Sequence, residues 1–302
     1  MASAYDLHRP LAFGGNVDPT ASDPAWPFRL ARVIDEAGLD YIGIQDHPYN
    51  ATFLDTWTLI ATLTQATQRV RFFPNVANLP LRPPAMLAKA VASLDLLSGG
   101  RIELGIGAGA YWPGIAAMGG PNRSPGEAVK ALEEAIQIIR AFWSGTRGVR
   151  FEGKHYQVVG ARPGPQPAHP VEIWVGAYGP RMLALTGRLA DGWVPSLSYA
   201  PPERIPEMQQ RINEAAQEAG RKPQEIRRAY NVMGQITTEP AHSLLHGPVD
   251  HWIEELTGFA VELGMDTFIF WPEEERIRQM QIFAAEVAPG VRERVAGARK
   301  QA

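Results

Sequence analysis

Three kinds of group in this chain are placed where they could do chemistry: an imidazole behind a strand, backbone amides at a helix start, and a glycine-rich strand end. His47 follows the run Tyr41-Ile42-Gly43-Ile44-Gln45-Asp46, and Pro48 bars it from helical backbone space. A histidine so placed could donate or accept a proton near neutral pH, or serve as a hydrogen-bonding wall against a ligand. Asp46 beside it could orient the backbone or a ligand, or cap the following loop. Gly176-Ala177-Tyr178-Gly179-Pro180-Arg181 lies between the apolar EIWV and the amphipathic MLALTGRLA. Small residues there let amides at a helix start approach an anion closely, which marks this turn as the expected phosphate site. Arg181 either adds charge to that anion or is a solvated first-turn arginine. Gly105-Ile106-Gly107-Ala108-Gly109 ends another strand, and its missing side chains would let a flat ligand lie against the backbone as against a wall. In the loop beyond it, Tyr111, Trp112 and Met118 could line an apolar substrate pocket or be pinned into the fold.

Strand-like and helix-like periods alternate along the chain, as they must in a parallel sheet with crossover helices. Strands are expected near 11–16, 40–46, 69–78, 101–107, 171–176, 192–195, 227–236 and 266–271. Helices are expected near 26–38, 55–67, 84–97, 125–144, 179–190, 202–219, 248–263 and 274–286. Eight such units predict an α/β fold, a single (β/α)8 TIM barrel over residues 1–302 with loop insertions, whose working groups sit at the carboxyl ends of the strands. No Pro/Gly/Ser-rich linker divides the chain. Long loops at 109–126 and 237–247 fall on the working side, the second as a candidate lid. Val149 to Val159 reads as a hairpin around Glu152-Gly153-Lys154, expected to be structural on a flank or the amino-terminal side.

Composition narrows the classes of partner. With 302 residues, a formal net charge of -3 and no basic run, no nucleic-acid partner is expected and a small-molecule one is. There are no cysteines, hence no thiolate nucleophile, disulfide or cysteine metal site. No apolar run approaches the ~20 residues that span a bilayer and no signal-like core opens the chain, so no membrane partner and a cytoplasmic location are expected. His242, His246 and His251 imitate a metal spacing, but prolines and glycines surround them without an adjacent acidic ligand, and no metal is expected. Glu273-Glu274-Glu275 is expected to open the last helix as a solvated first turn.

Four ordered motifs go further: AGLDYIGIQDH (37–47), PLRPPAMLAKAVASLDLLSGGRIELGIGAG (80–109), EIWVGAYGPRMLALTGRLADGW (172–193) and GMDTFIFWP (264–272). Over nearly its whole length the chain resembles the bacterial-luciferase-like family of flavin-dependent oxidoreductases and monooxygenases, which includes members that use coenzyme F420. The resemblance implies a barrel that binds FMN or coenzyme F420, with His47 against the ring as proton donor or acceptor and the phosphate on the backbone at 176–179. It also implies a cis peptide at Asn75-Val76, forming a bulge behind the ring, and leaves a homodimer open. The family's sugar-phosphate dehydrogenases carry a glutamate where Ala110 stands, which argues against sugar-phosphate oxidation here. The compact chain lacks the long insertions of oxygen-using members, so F420-linked hydride transfer to or from a small organic substrate is favoured. FMN- and oxygen-dependent monooxygenation is the alternative. Two rivals of other classes are a non-catalytic flavin-binding protein and a metal-dependent barrel hydrolase. The hydrolase would want His-x-His on the first strand, where LAFGGN has none.

Overall fold

The computed structural model describes residues 9–301. In chain order its elements are β1 Ala12–Asn16, α1 Trp26–Glu36, β2 Tyr41–Ile44, α2 Thr56–Ala66, β3 Arg71–Pro74, β4 Ala77–Asn78, α3 Pro84–Ser98, β5 Leu104–Gly107, α4 Trp112–Ala117 and α5 Pro125–Trp143. There follow β6 Val149–Glu152, β7 Gln157–Ala161, β8 Ile173–Val175, α6 Pro180–Leu189, β9 Gly192–Trp193, α7 Ile205–Glu218, β10 Arg227–Ile236, β11 His246–Gly247, α8 Val249–Val261, β12 Thr267–Pro272, α9 Arg276–Ile282 and α10 Ala288–Gln301.

The parallel strands run in the order β3-β2-β1-β12-β10-β9-β8-β5-β4. Backbone bonds from Phe72 N to Arg101 O (2.8 Å) and from Glu103 N to Phe72 O (2.9 Å) join β3 to the approach of β5, which closes the ring. The expected strand at 69–78 is thus two pieces. β3 pairs with β2 up to Ile44↔Pro74, β4 pairs with β5 from Ala77↔Ile106, and the cis Asn75-Val76 peptide lies at the break between them. A bulge of this kind re-aims side chains at a barrel rim.

Inside the barrel Tyr41, Phe73, Trp174, Val194, Ala229 and Ile269 form one apolar cluster, distinct from the larger core between strands and helices. Trp174 touches both Tyr41 (ring centroids 5.1 Å) and Phe73 (4.8 Å), so three strands interlock through one indole. Gly14 makes room for this filling, because a Cβ there would stand 2.4 Å from the Tyr41 carbonyl oxygen.

Helix starts are marked chemically where the site depends on them. Asp55 caps α2 by accepting from Thr58 N (2.9 Å), and Ser124 and Glu127 form a reciprocal capping box on α5, a device worth about 1 kcal/mol. The expected final helix at 274–286 is displaced. Glu275 takes a left-handed conformation and α9 starts only at Arg276, so the three glutamates precede the helix instead of forming its first turn. Beyond a π-helical turn at Phe283–Val287 the chain stays helical to Gln301, the widened turn lying immediately before Pro289, whose ring and missing N–H an unbroken α-helix would not accommodate. The 109–126 loop contains the short α4, and the 149–159 hairpin forms as β6 and β7. It lies on the flank of α5: Glu134 accepts from Lys154 N, His155 N and Tyr156 N at 2.8, 2.9 and 3.0 Å. The 237–247 segment turns back so that β11 pairs with β10, and it contributes nothing to the cleft described next. No helix among the described residues is long and apolar enough to cross a membrane.

Candidate active site

A cleft of about 320 Å³ opens over the carboxyl ends of β2, β3, β4, β5, β8 and β9, which are neighbours around the ring. Asp46, His47, Asn75, Val76, Gly107, Gly176 and Gly179 all line it. Residues separated by up to 133 positions in sequence thus meet because each ends a barrel strand or starts the loop behind one, as the fold requires.

Val76 is the centre of the floor. Its Cγ2 would stand 2.8 Å from a Cβ at Gly107 and 3.3 Å from one at Gly176, so both glycines make room first for this side chain. Gly105 likewise admits the Pro74 carbonyl oxygen, 2.1 Å from where its Cβ would be. The glycine-rich strand end is therefore filled in part by the β3–β4 bulge, not left wholly open to a ligand. Asn75 is held from below: its Nδ2 donates to Asn231 Oδ1 (2.6 Å), which also accepts from Trp271 Nε1 (3.1 Å), while Asn231 Nδ2 donates to Ser196 Oγ (3.1 Å).

Asp46 is buried and both its carboxylate oxygens are engaged. Oδ2 accepts from Asn78 N and Arg82 Nε, each at 2.9 Å, and Oδ1 accepts from Arg82 Nη2 at 2.8 Å. It ties the end of β2 to β4 and so sets the orientation of the next residue, His47. The His47 ring shares a hydrogen bond between Nδ1 and Tyr49 Oη (2.9 Å) and lies over Phe53 with centroids 6.3 Å apart. Burial holds its pKa below the usual histidine value, partly opposed by the Asp46 charge, so the ring is neutral at pH 7.

At the other side, Gly179 is the N-cap of α6 and no side chain caps that helix. Pro180 lacks an N–H, and the amides of Arg181 and Met182 have no acceptor within the helix. A Cβ at Gly179 would meet nothing within 4 Å. The preceding turn is fixed by Trp193 Nε1 donating to the Ala177 carbonyl (2.9 Å) and by Ser196 N donating to Tyr178 Oη (3.1 Å). Ala177 is itself buried, and the exposed Arg181 lies outside the cleft near Gly126.

Tyr111 and Trp112 do not line the cleft. Tyr111 is 55% exposed and sets its edge on Tyr49 (5.2 Å), while Trp112 packs beside Gly109. The cleft wall here is instead Tyr49 and Ala110, and sequence reasoning also missed Asn78, Tyr178, Met182, Ser196 and Asn231. Asn231 had a signal, being a polar residue within the apolar strand run AYNV. Tyr49 had one too, two residues beyond His47. Among the described residues no group of three His, Asp or Glu side chains is arranged to hold a metal; His246 instead faces Glu273 at 3.2 Å.

Two features of the cleft fit a phosphate-bearing ring cofactor. The Asn78 side-chain oxygen is buried at its edge with no protein partner, and the α6 start combines open space with free amides. Asn75, Val76 and Asn78 would hold the ring, and Gly176 to Gly179 the phosphate.

Comparison with known proteins identifies the family and the fold. Residues 12–262 match the model of a family described as luciferase-like monooxygenase. An uncharacterized protein of Mycobacterium tuberculosis is 32% identical over 238 residues, 78% of this chain and 77% of its own. An F420-dependent glucose-6-phosphate dehydrogenase of Nakamurella multipartita is 30% identical over 226 residues, 72% of this chain and 65% of its own. Among solved structures, an F420-dependent secondary alcohol dehydrogenase in complex with an F420–acetone adduct superposes with a TM-score of 0.83 at 20% identity, covering 94% of this chain and 99% of that one.

Proposed function

The chain belongs to the luciferase-like monooxygenase family, and from that membership we propose that it transfers hydride between coenzyme F420 and a small organic substrate. The observation that carries this reading is the open, uncapped start of α6 at Gly179, facing a cleft whose floor is the β3–β4 bulge. The deazaflavin is favoured over FMN because a relative 30% identical over 72% of this chain is named an F420-dependent dehydrogenase.

When bound, the cofactor supplies the two-electron chemistry. The protein's part is to bind, orient and handle a proton. The amides at 179–182 take the phosphate, Val76 and Asn75 back the ring, and His47 exchanges a proton with substrate through the ring nitrogen not engaged by Tyr49. Ala110 on the cleft wall offers no carboxylate, so the substrate is not a sugar phosphate handled by a glutamate at this place. Tyr49, Tyr178 and Met182 give the cleft an apolar side that suits a small alcohol or carbonyl compound.

Monooxygenation with FMN is the second reading, favoured by the description of the family itself. The absorption spectrum and mass of the cofactor that co-purifies from a host making both compounds decide between them. A deazaflavin with anaerobic turnover of an alcohol–carbonyl pair supports the first. FMN with oxygen-dependent product formation overturns it in favour of the second.

A further inference from the structure

The His47–Tyr49 contact fixes more than the orientation of a ring. The Nδ1–Oη distance is 2.9 Å, and one of the two atoms must supply the proton between them. Phenol is the more acidic donor and the sp² nitrogen of neutral imidazole the more basic acceptor, so the proton belongs to Tyr49. The surroundings agree. Burial and the nearby Asp46 and Tyr111 push the Tyr49 hydroxyl above its ordinary pKa, which keeps it protonated, and burial keeps His47 neutral. The charged neighbour of the pair, Asp46, is itself paired with Arg82 (2.8 Å), which also holds Asp55 (2.6 Å), and Phe53 and Tyr111 contribute ring faces and edges.

We propose that Tyr49 is a positioning residue that locks His47 in the Nε2–H tautomer, so that the neutral imidazole meets the substrate as a proton donor. The proposal rests on the functional reading above for its use in turnover, but not for its geometry. In the direction of carbonyl reduction the step balances as follows. The carbonyl carbon receives hydride from the reduced deazaflavin, the carbonyl oxygen takes the Nε2 proton, and Nδ1 takes the phenolic proton of Tyr49. The imidazole ends neutral as the other tautomer. The phenolate left behind regains a proton from solvent, which reaches this edge of the cleft past the half-exposed Tyr111. Alcohol oxidation runs the same transfers in reverse. The relay avoids an imidazolate, and the Tyr49 phenolate, which burial and Asp46 disfavour, is short-lived because solvent reprotonates it.

Imidazole ¹⁵N chemical shifts of His47 in the cofactor-free protein test this without any turnover. The wild type is expected to show Nδ1 as the unprotonated nitrogen and Nε2 as the protonated one between pH 7 and 8. In Tyr49→Phe, which keeps the ring and its contact with Tyr111, the tautomers should mix. The His47 pKa should also rise by about half a unit to one unit, since a bond that stabilised the neutral form is gone. A protonated Nδ1 in the wild type, or an unchanged tautomer and pKa in Tyr49→Phe, overturns the proposal whatever the cofactor proves to be. Once a substrate is in hand, Tyr49→Phe should lower kcat more than it raises KM and shift the pH profile with the NMR titration. If FMN replaces F420 while the shifts come out as expected, the functional reading fails and the tautomer assignment stands.

Discussion

The two ends of the barrel are built from opposite principles, and two histidines show the difference. At the amino ends, His169 lies between two buried carboxylates: Nδ1 is 2.9 Å from Asp95 Oδ1 and Nε2 is 3.2 Å from Glu103 Oε1. Glu103 also takes Arg71 (2.8 Å), and Glu172 takes Arg9, Arg227 and the Trp174 indole, each at 2.8 Å. The guanidinium of Arg227 in turn covers the Trp174 ring at 5.3 Å. Charges there are consumed in closing the bottom of the barrel. At the carboxyl ends Asp46 and Arg82 are paired behind the surface, and the cleft presents amides, amide side chains and one neutral imidazole. The lesson is that the same strands carry stability at one end and unspent binding capacity at the other.

That contrast breaks first at Asp95. Its carboxylate accepts from Ile102 N, Ala168 N and His169 N as well as from the imidazole, so Asp95→Ala strands several buried donors. It should cost about 3–5 kcal/mol in urea unfolding. A loss within about 0.5 kcal/mol would mean that the amino end is not what holds the barrel.

Glycines sharpen it within the cleft. Gly179→Val, in extended backbone and open space, should leave unfolding free energy within about 0.5 kcal/mol while weakening F420 binding at least tenfold. Gly107→Val meets Val76 Cγ2 and should lose about 1–3 kcal/mol by overpacking. Equal effects of the two on stability would erase the distinction between a glycine kept for ligand and one kept for protein.

The smallest effect is in pH dependence, and its sign differs between the histidines. His169 has a raised pKa, first from its bond to Glu103. Its contribution is fully present below the unfolded value of 6.5 and is lost as pH rises through the folded value. His47 has a lowered pKa, from burial, so its contribution is complete above 6.5 and is lost as pH falls through the folded value. Unfolding free energies of His169→Asn and His47→Asn across pH 5 to 8, each subtracted from wild type, should therefore slope in opposite directions. Parallel slopes would contradict the assignment.

Much of this was legible in sequence because strand ends are marked by short motifs: Asp46-His47, the glycines at 107 and 109, and Gly176 and Gly179 of the turn at 176–181 line one cleft, whereas Arg181 stays outside it. What was hidden depends on which neighbour fills a gap. Sequence shows that Gly105 and Gly107 lack side chains, but not that Pro74 and Val76 occupy the room they leave. It shows aromatics at Tyr111 and Trp112, but not that the short α4 holds them outside while Tyr49 takes the wall. The helix continuing to Gln301 was hidden by Pro289 and Gly290, which read as a stop because sequence does not show the π turn that carries the helix past them.

The account stands most directly on a side-by-side fluorescence and absorbance titration of the purified protein with coenzyme F420 and with FMN, repeated on Gly179→Val. It predicts saturable binding of F420 by the wild type, much weaker binding of FMN, and loss of F420 affinity in the variant with the fold intact. Saturable FMN binding without F420 binding, or F420 affinity unchanged by Gly179→Val, would contradict it.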